Sequence, residues 1–138
     1  MVLKEFVKSL VDTHGTNNPF TICDCLNIKV KYIDVDNIRG LATTVFDSPV
    51  IFLNKKLQGF NKAFVLSHEL CHILRHDIHS ISFSKRHTLQ KADVFEKEAN
   101  AFAALLLLDP ATDSYIIGSE PLDDDVKREI TERIQDYY

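Results

Sequence analysis

The strongest constraint on this chain is a change of hydrophobic period after Gly59. Phe60, Phe64, Leu66, Leu70, Ile73 and Leu74 recur at helical spacing and predict a long helix over residues 60–76. Inside it stands Ser67-His68-Glu69-Leu70-Cys71-His72. Four residues advance a helix by about 400°, so His68 and His72 share a face, one turn apart. Two imidazoles so placed can hold one zinc ion through ring nitrogens. Glu69 points to one side of that face, where it can act on water without filling a coordination position. Two ligands beside a general base is the arrangement that a zinc peptidase needs.

A catalytic zinc takes a third protein ligand and keeps one open position. A third histidine at the metzincin spacing would fall at Ile78, which cannot ligate. His76 continues the row, but eight residues along a helix is about 12 Å from His68. The better source is the next helix, expected from near Ala92 through Leu107 and broken by Asp109-Pro110. There Glu96 and Asn100 lie one turn apart, and Glu98 points about 200° away. If Ala99, Phe102, Ala103 and Leu106 pack inward, Glu96 and Asn100 border the buried face and Glu98 tends toward solvent. Glu96 is therefore the expected third ligand, with Asn100 orienting a ligand histidine and Glu98 as the alternative ligand. Small residues at 99, 101, 103 and 104 let this helix approach the histidine helix closely.

The rest of the chain reads as an α+β domain over residues 1–138. Leu3, Phe6, Val7, Leu10 and Val11 predict an amphipathic helix over 2–13, and Pro19 opens a short second helix through Leu26. Strands are expected at 28–35, 38–46 and 49–54, most economically as a three-stranded antiparallel sheet. Residues 77–90 show no clean period and read as an irregular loop holding His79 and His87; a last helix is expected over 123–137. The full count is about four to five helices.

Composition narrows the function. Sixteen Lys and Arg against twenty Asp and Glu give a net charge of −4, with three basic and nine acidic residues in 109–138. This argues against a direct grip on nucleic acid. The longest apolar run, Ala101 to Leu108, is far short of a membrane span. Lys4, Glu5 and Lys8 interrupt the first ten residues, so no apolar signal core stands there. Cys23, Cys25 and Cys71 are odd in number and read as free thiols. A cytoplasmic monomer without disulfides is the expectation.

The pattern resembles the ImmA/IrrE family of metallo-endopeptidases. The resemblance covers the N-terminal helices, the strand from Ile28 to Val35, the segment Phe64 to His76, and the segment Glu96 to Pro110. The last is the most specific: an EANxFA-type core, here Glu98-Ala99-Asn100-Ala101-Phe102-Ala103, then a leucine-rich turn and a proline. The resemblance implies zinc on two motif histidines and a downstream acidic residue. It also implies a substrate, a helix-turn-helix transcriptional repressor of phage, mobile-element or stress genes, encoded nearby as a separate protein. Two positions depart from the pattern. Cys71 stands where the family often has Gly, and Asn100 where many gluzincins keep an aspartate. An extended substrate is expected to pair with an edge strand of the sheet, 49–54 or 38–46. The alternative is a protein that inactivates a repressor by complex formation, with zinc purely structural.

Overall fold

A computed structural model describes residues 2–76, 89–109 and 114–115, together with Asp125, Arg128 and Glu132. The first helix, α1 (Leu3–His14), buries Leu3 and Val7 and ends where Gly15 enters the left-handed region at φ 68°, its N–H donating to the Val11 carbonyl. The second, α2 (Pro19–Cys25), is capped by Asn18, whose side-chain oxygen accepts the Phe20 N–H at 2.9 Å. Proline at its first position costs nothing, because that N–H has no partner within a helix.

Three strands follow: β1 (Lys29–Ile33), β2 (Gly40–Val45) and β3 (Ser48–Asn54). Their spatial order is β1-β3-β2. β2 and β3 form an antiparallel hairpin, with Ala42 opposite Ile51. β1 pairs with β3 in parallel, with Val30 opposite Ile51. The sheet is therefore mixed, which corrects the antiparallel expectation. The physical reason lies in burial. β3 carries Val50, Ile51 and Leu53, all buried, and takes the centre, where a strand flanks it on either side. The link from residue 34 to 39 carries the chain past that central position to the far edge. As a result β3 is no edge strand, and of the two expected substrate edges only the 38–46 segment remains.

The motif helix, α3 (Gly59–Arg75), touches the sheet through β2 and β3, and also packs on α2 and on α4 (Leu89–Leu107). Residues 99, 101, 103 and 104 of α4 are alanines with 0% exposure, which is what brings the two helices close. Phe102 fills the space toward α1, 6.1 Å from Phe6. Asn17 ties the end of α4 down through Nδ2 to the Leu106 carbonyl at 3.0 Å. Two short strands, β4 (Leu108–Asp109) and β5 (Ser114–Tyr115), form a separate antiparallel pair. The expected loop over 77–90, with His79 and His87, lies outside the described residues but for its last two, which begin α4; of the helix expected over 123–137, only Asp125, Arg128 and Glu132 are described, each helical. The fold is α+β, and α3 is the element on which sheet and helices meet.

Candidate metal centre

The inner face of α3 is apolar because the core requires it, and that same packing orients the histidines. Leu66, Leu70 and Cys71 are fully buried, while His68 and His72 follow at the boundary with α4. Their Nε2 atoms lie 3.2 Å apart. Glu96 reaches both, with Oε2 2.8 Å from His68 Nε2 and Oε1 3.1 Å from His72 Nε2. Tetrahedral bonds of about 2.0–2.1 Å set neighbouring donor atoms about 3.3 Å apart, so two nitrogens and a carboxylate at this spacing fit one zinc ion. On its other ring nitrogen, Nδ1, His68 meets Asn100 Oδ1 at 2.9 Å. The structure thus brings together His68, His72, Glu96 and Asn100.

Electrostatics tie the cluster together. Burial pulls His68 toward the neutral form, but the hydrogen bond to Glu96 and the charges of Glu96 and Glu69 outweigh it, and its pKa rises. Hydrogen bonds from His68 and His72 hold Glu96 well below the usual carboxylate range. Glu69 is 9% exposed, and burial raises its pKa against the opposing pull of the two histidines. The backbone N–H of Ala42 in β2 faces its carboxylate. Glu69 therefore hangs between the motif helix and the edge strand. Beside it opens a cleft of about 760 Å³, lined by residues 37–41 of the sheet side, by Gln58, Phe60, Asn61, Phe64, Val65, His68 and Glu69, and by Glu96 and Asn100 of α4.

Glu98 does not turn to solvent as expected. Its side chain is 15% exposed, against 56% for Glu96. The helical wheel placed it outside because it points about 200° away from Glu96 and Asn100; a lone carboxylate also resists burial, but here Arg75 Nε donates to its Oε1 at 2.7 Å and offsets that cost. His76 Nε2 reaches the same oxygen at 3.2 Å. His76 is itself buried, and its Nδ1 lies 2.7 Å from His72 Nδ1. Burial and the adjacent His72 pull its pKa down to about 4. Sequence reasoning set His76 aside as too far along the helix to share an ion with His68. Its i,i+4 spacing from His72 was the signal for more.

Cys71 is fully buried, and burial raises its pKa, so it fills space as a neutral thiol. Cys23 is buried too, its pKa pushed up to about 12, while Cys25 is exposed. None of the three forms a disulfide. No helix among the described residues is long and apolar enough to cross a membrane.

A helix bearing His-Glu-x-x-His under an edge strand, with an acidic side chain delivered by a second helix, defines a metallopeptidase-type domain. The chain belongs to the peptidase family described as the IrrE N-terminal-like domain, whose model matches residues 23–133. It is 33% identical over 108 residues to the "Uncharacterized immunity region protein 2" of Bacillus phage phi105, covering 78% of this chain and 68% of that protein. It is also 33% identical over 109 residues to "Metallopeptidase ImmA" of Bacillus subtilis (strain 168), covering 77% of this chain and 63% of that one. The matched stretch thus spans about two thirds of each relative.

Proposed function

We propose that this chain is a zinc-dependent endopeptidase of the cytoplasm that cleaves a separate helix-turn-helix transcriptional repressor and so relieves repression. The observation that carries the reading is the convergence of His68, His72 and Glu96 at the cleft, with Glu69 alongside. His68 Nε2, His72 Nε2 and Glu96 would hold the ion. When bound there, zinc supplies Lewis acidity, which lowers the pKa of coordinated water toward about 7.

The chain's own groups do the rest. Glu69 takes a proton from the attacking water at its carboxylate and hands it to the leaving amine. Its raised pKa suits the first half of that task, because a carboxylate with a higher pKa takes up a proton more readily. The outer edge of β2 offers backbone groups to an extended peptide, which would lie along the cleft and across Glu69. Backbone pairing accounts for a peptide substrate. The choice of a repressor follows from the family resemblance; of the relatives, one is named for a phage immunity region and one is named a metallopeptidase.

The test is direct. Zinc-loaded protein is incubated with each helix-turn-helix protein found in the reading frames next to its gene, and new termini are sought by mass spectrometry. One defined cut in the repressor is expected. An intact repressor held in a stable complex on gel filtration overturns the proteolytic reading in favour of inactivation by binding.

A further inference from the structure

The described residues hold a second cluster of potential ligands, Cys71, His76 and Glu98, beside the first. Its geometry speaks against a cation. Both ring nitrogens of His76 are engaged, Nδ1 with His72 and Nε2 with Glu98. The Arg75 guanidinium already supplies the positive charge, 2.7 Å from the Glu98 carboxylate. The same contacts form a directed chain that runs from Arg75 through Glu98 and His76 to His72.

We propose that His76 and Glu98 are positioning residues that fix the tautomer of His72, keeping a proton on its Nδ1 and presenting Nε2 to the cation. This rests on the zinc reading given above. The argument is one of donors and acceptors. Glu98, held by Arg75, is an acceptor only, so His76 Nε2 must carry the proton between them. A neutral imidazole with a proton on Nε2 has a bare Nδ1. A separation of 2.7 Å between two ring nitrogens requires one proton in between, and once a cation takes the Nε2 lone pair of His72 in place of the Glu96 hydrogen bond, that proton belongs to His72 Nδ1. His72 is left with Nε2 facing His68 and Glu96, at 3.2 and 3.1 Å. Burial keeps water from competing, because the His76 side chain is only 3% exposed and its ring packs 4.6 Å from that of Phe95. The backbone holds the pair in register through the His76 N–H, which donates to the His72 carbonyl at 3.1 Å. The two motif histidines are thus oriented differently, His68 by the neutral amide of Asn100 and His72 by a chain that ends in a charge. A charged acceptor makes the ligand more basic than an amide does.

The experiment uses the full chain. Zinc affinity is measured by competition with a chelator for the parent, His76→Leu, His76→Gln, Glu98→Leu and Glu98→Gln. Histidine tautomers are read from 15N-labelled protein by NMR, with and without zinc. The parent should bind one equivalent, and His76→Leu should lose roughly 10–100-fold in affinity. Gln at 76 offers an acceptor oxygen and a donor N–H, and should stay within about 3-fold of the parent, as should Glu98→Gln, which keeps an acceptor. The spectra of the zinc-loaded protein should show His76 protonated on Nε2 and His72 on Nδ1. Parent-like affinity in His76→Leu and Glu98→Leu, or a His76 protonated on Nδ1 in the zinc-loaded protein, overturns the proposal while leaving the zinc site standing. A second equivalent of zinc that disappears in His76→Leu overturns it in favour of a second metal site. A parent that takes up no zinc overturns the metal reading itself. Should His76→Leu fail to fold, the NMR assignment and the two Gln variants still decide.

Discussion

Gly40 and Glu69 are packed so closely that no side chain fits between them: a Cβ at position 40 would lie 3.1 Å from Glu69 Cγ and 2.7 Å from Val65 Cγ1. Val65 is β-branched and cannot swing away cheaply. Gly40→Ala must therefore push the edge strand off α3 or turn Glu69 aside. Displacing a reacting group by about 1 Å can cost 100-fold in rate, and overpacking costs about 1–3 kcal/mol of stability. The expected outcome is a folded variant with a lower melting temperature, near-parental zinc affinity and cleavage down by one to two orders of magnitude. Parent-like cleavage would mean that the cleft tolerates a wider gap than the packing indicates.

Glu96 and Glu98 are separated by their partners. Glu96 faces the two Nε2 atoms of the motif histidines, and Glu98 faces Arg75 and His76. In the proposed zinc site Glu96→Ala removes a ligand outright, and its loss of zinc affinity should exceed the roughly 10–100-fold that loss of an outer partner costs. Glu98→Ala should stay within that range. Equal losses in a metal titration would reverse the assignment of the third ligand.

The parts of this molecule that were legible in the sequence are those that local periodicity dictates. The apolar row from Phe60 to Leu74 marks α3 to within a residue, and the spacing of His68 and His72 then follows from helix geometry. α4 begins at Leu89, three residues before the expected start near Ala92. The sheet order was not legible. Parallel pairing of β1 with β3 depends on which strand is drawn to the centre, a competition among three segments rather than a property of any one. The inward turn of Glu98 was hidden for a similar reason. It depends on Arg75, 23 positions away, and no pattern within α4 reveals that partner.

The β2–β3 turn stores strain that can be removed. Phe46 and Asp47 both adopt positive φ, 51° and 65°, and Phe46 is 98% exposed. Two-residue hairpin turns of this kind favour Asn-Gly, since a bulky side chain in the left-handed region costs about 1–2 kcal/mol. Replacing the pair with Asn-Gly should raise the melting temperature by about 3–6 °C without altering zinc affinity. A fall in melting temperature would show that Phe46 stabilises the fold by contacts of its own.

Zinc itself should act as a stabiliser. An ion bound only by the folded chain at 100 times its Kd contributes about 2.7 kcal/mol. Adding zinc should raise the melting temperature, and a chelator should return it. His72→Ala should abolish the response. A melting temperature indifferent to zinc would argue against the His68, His72 and Glu96 cluster as a metal site.

Glu69→Gln separates the acid–base role from all others. Gln has the same length and keeps an oxygen for the Ala42 N–H, so the zinc-dependent rise in melting temperature should persist. Burial raises the pKa of Glu69, which means that the folded chain disfavours its ionised form. A neutral amide removes that cost, and the metal-free variant should be at least as stable as the parent. Cleavage should nevertheless fall by at least about 100-fold, because an amide cannot accept the proton from water. These three results together distinguish a lost base from a damaged fold. A variant that still cuts at the parental rate would remove Glu69 from the reaction altogether.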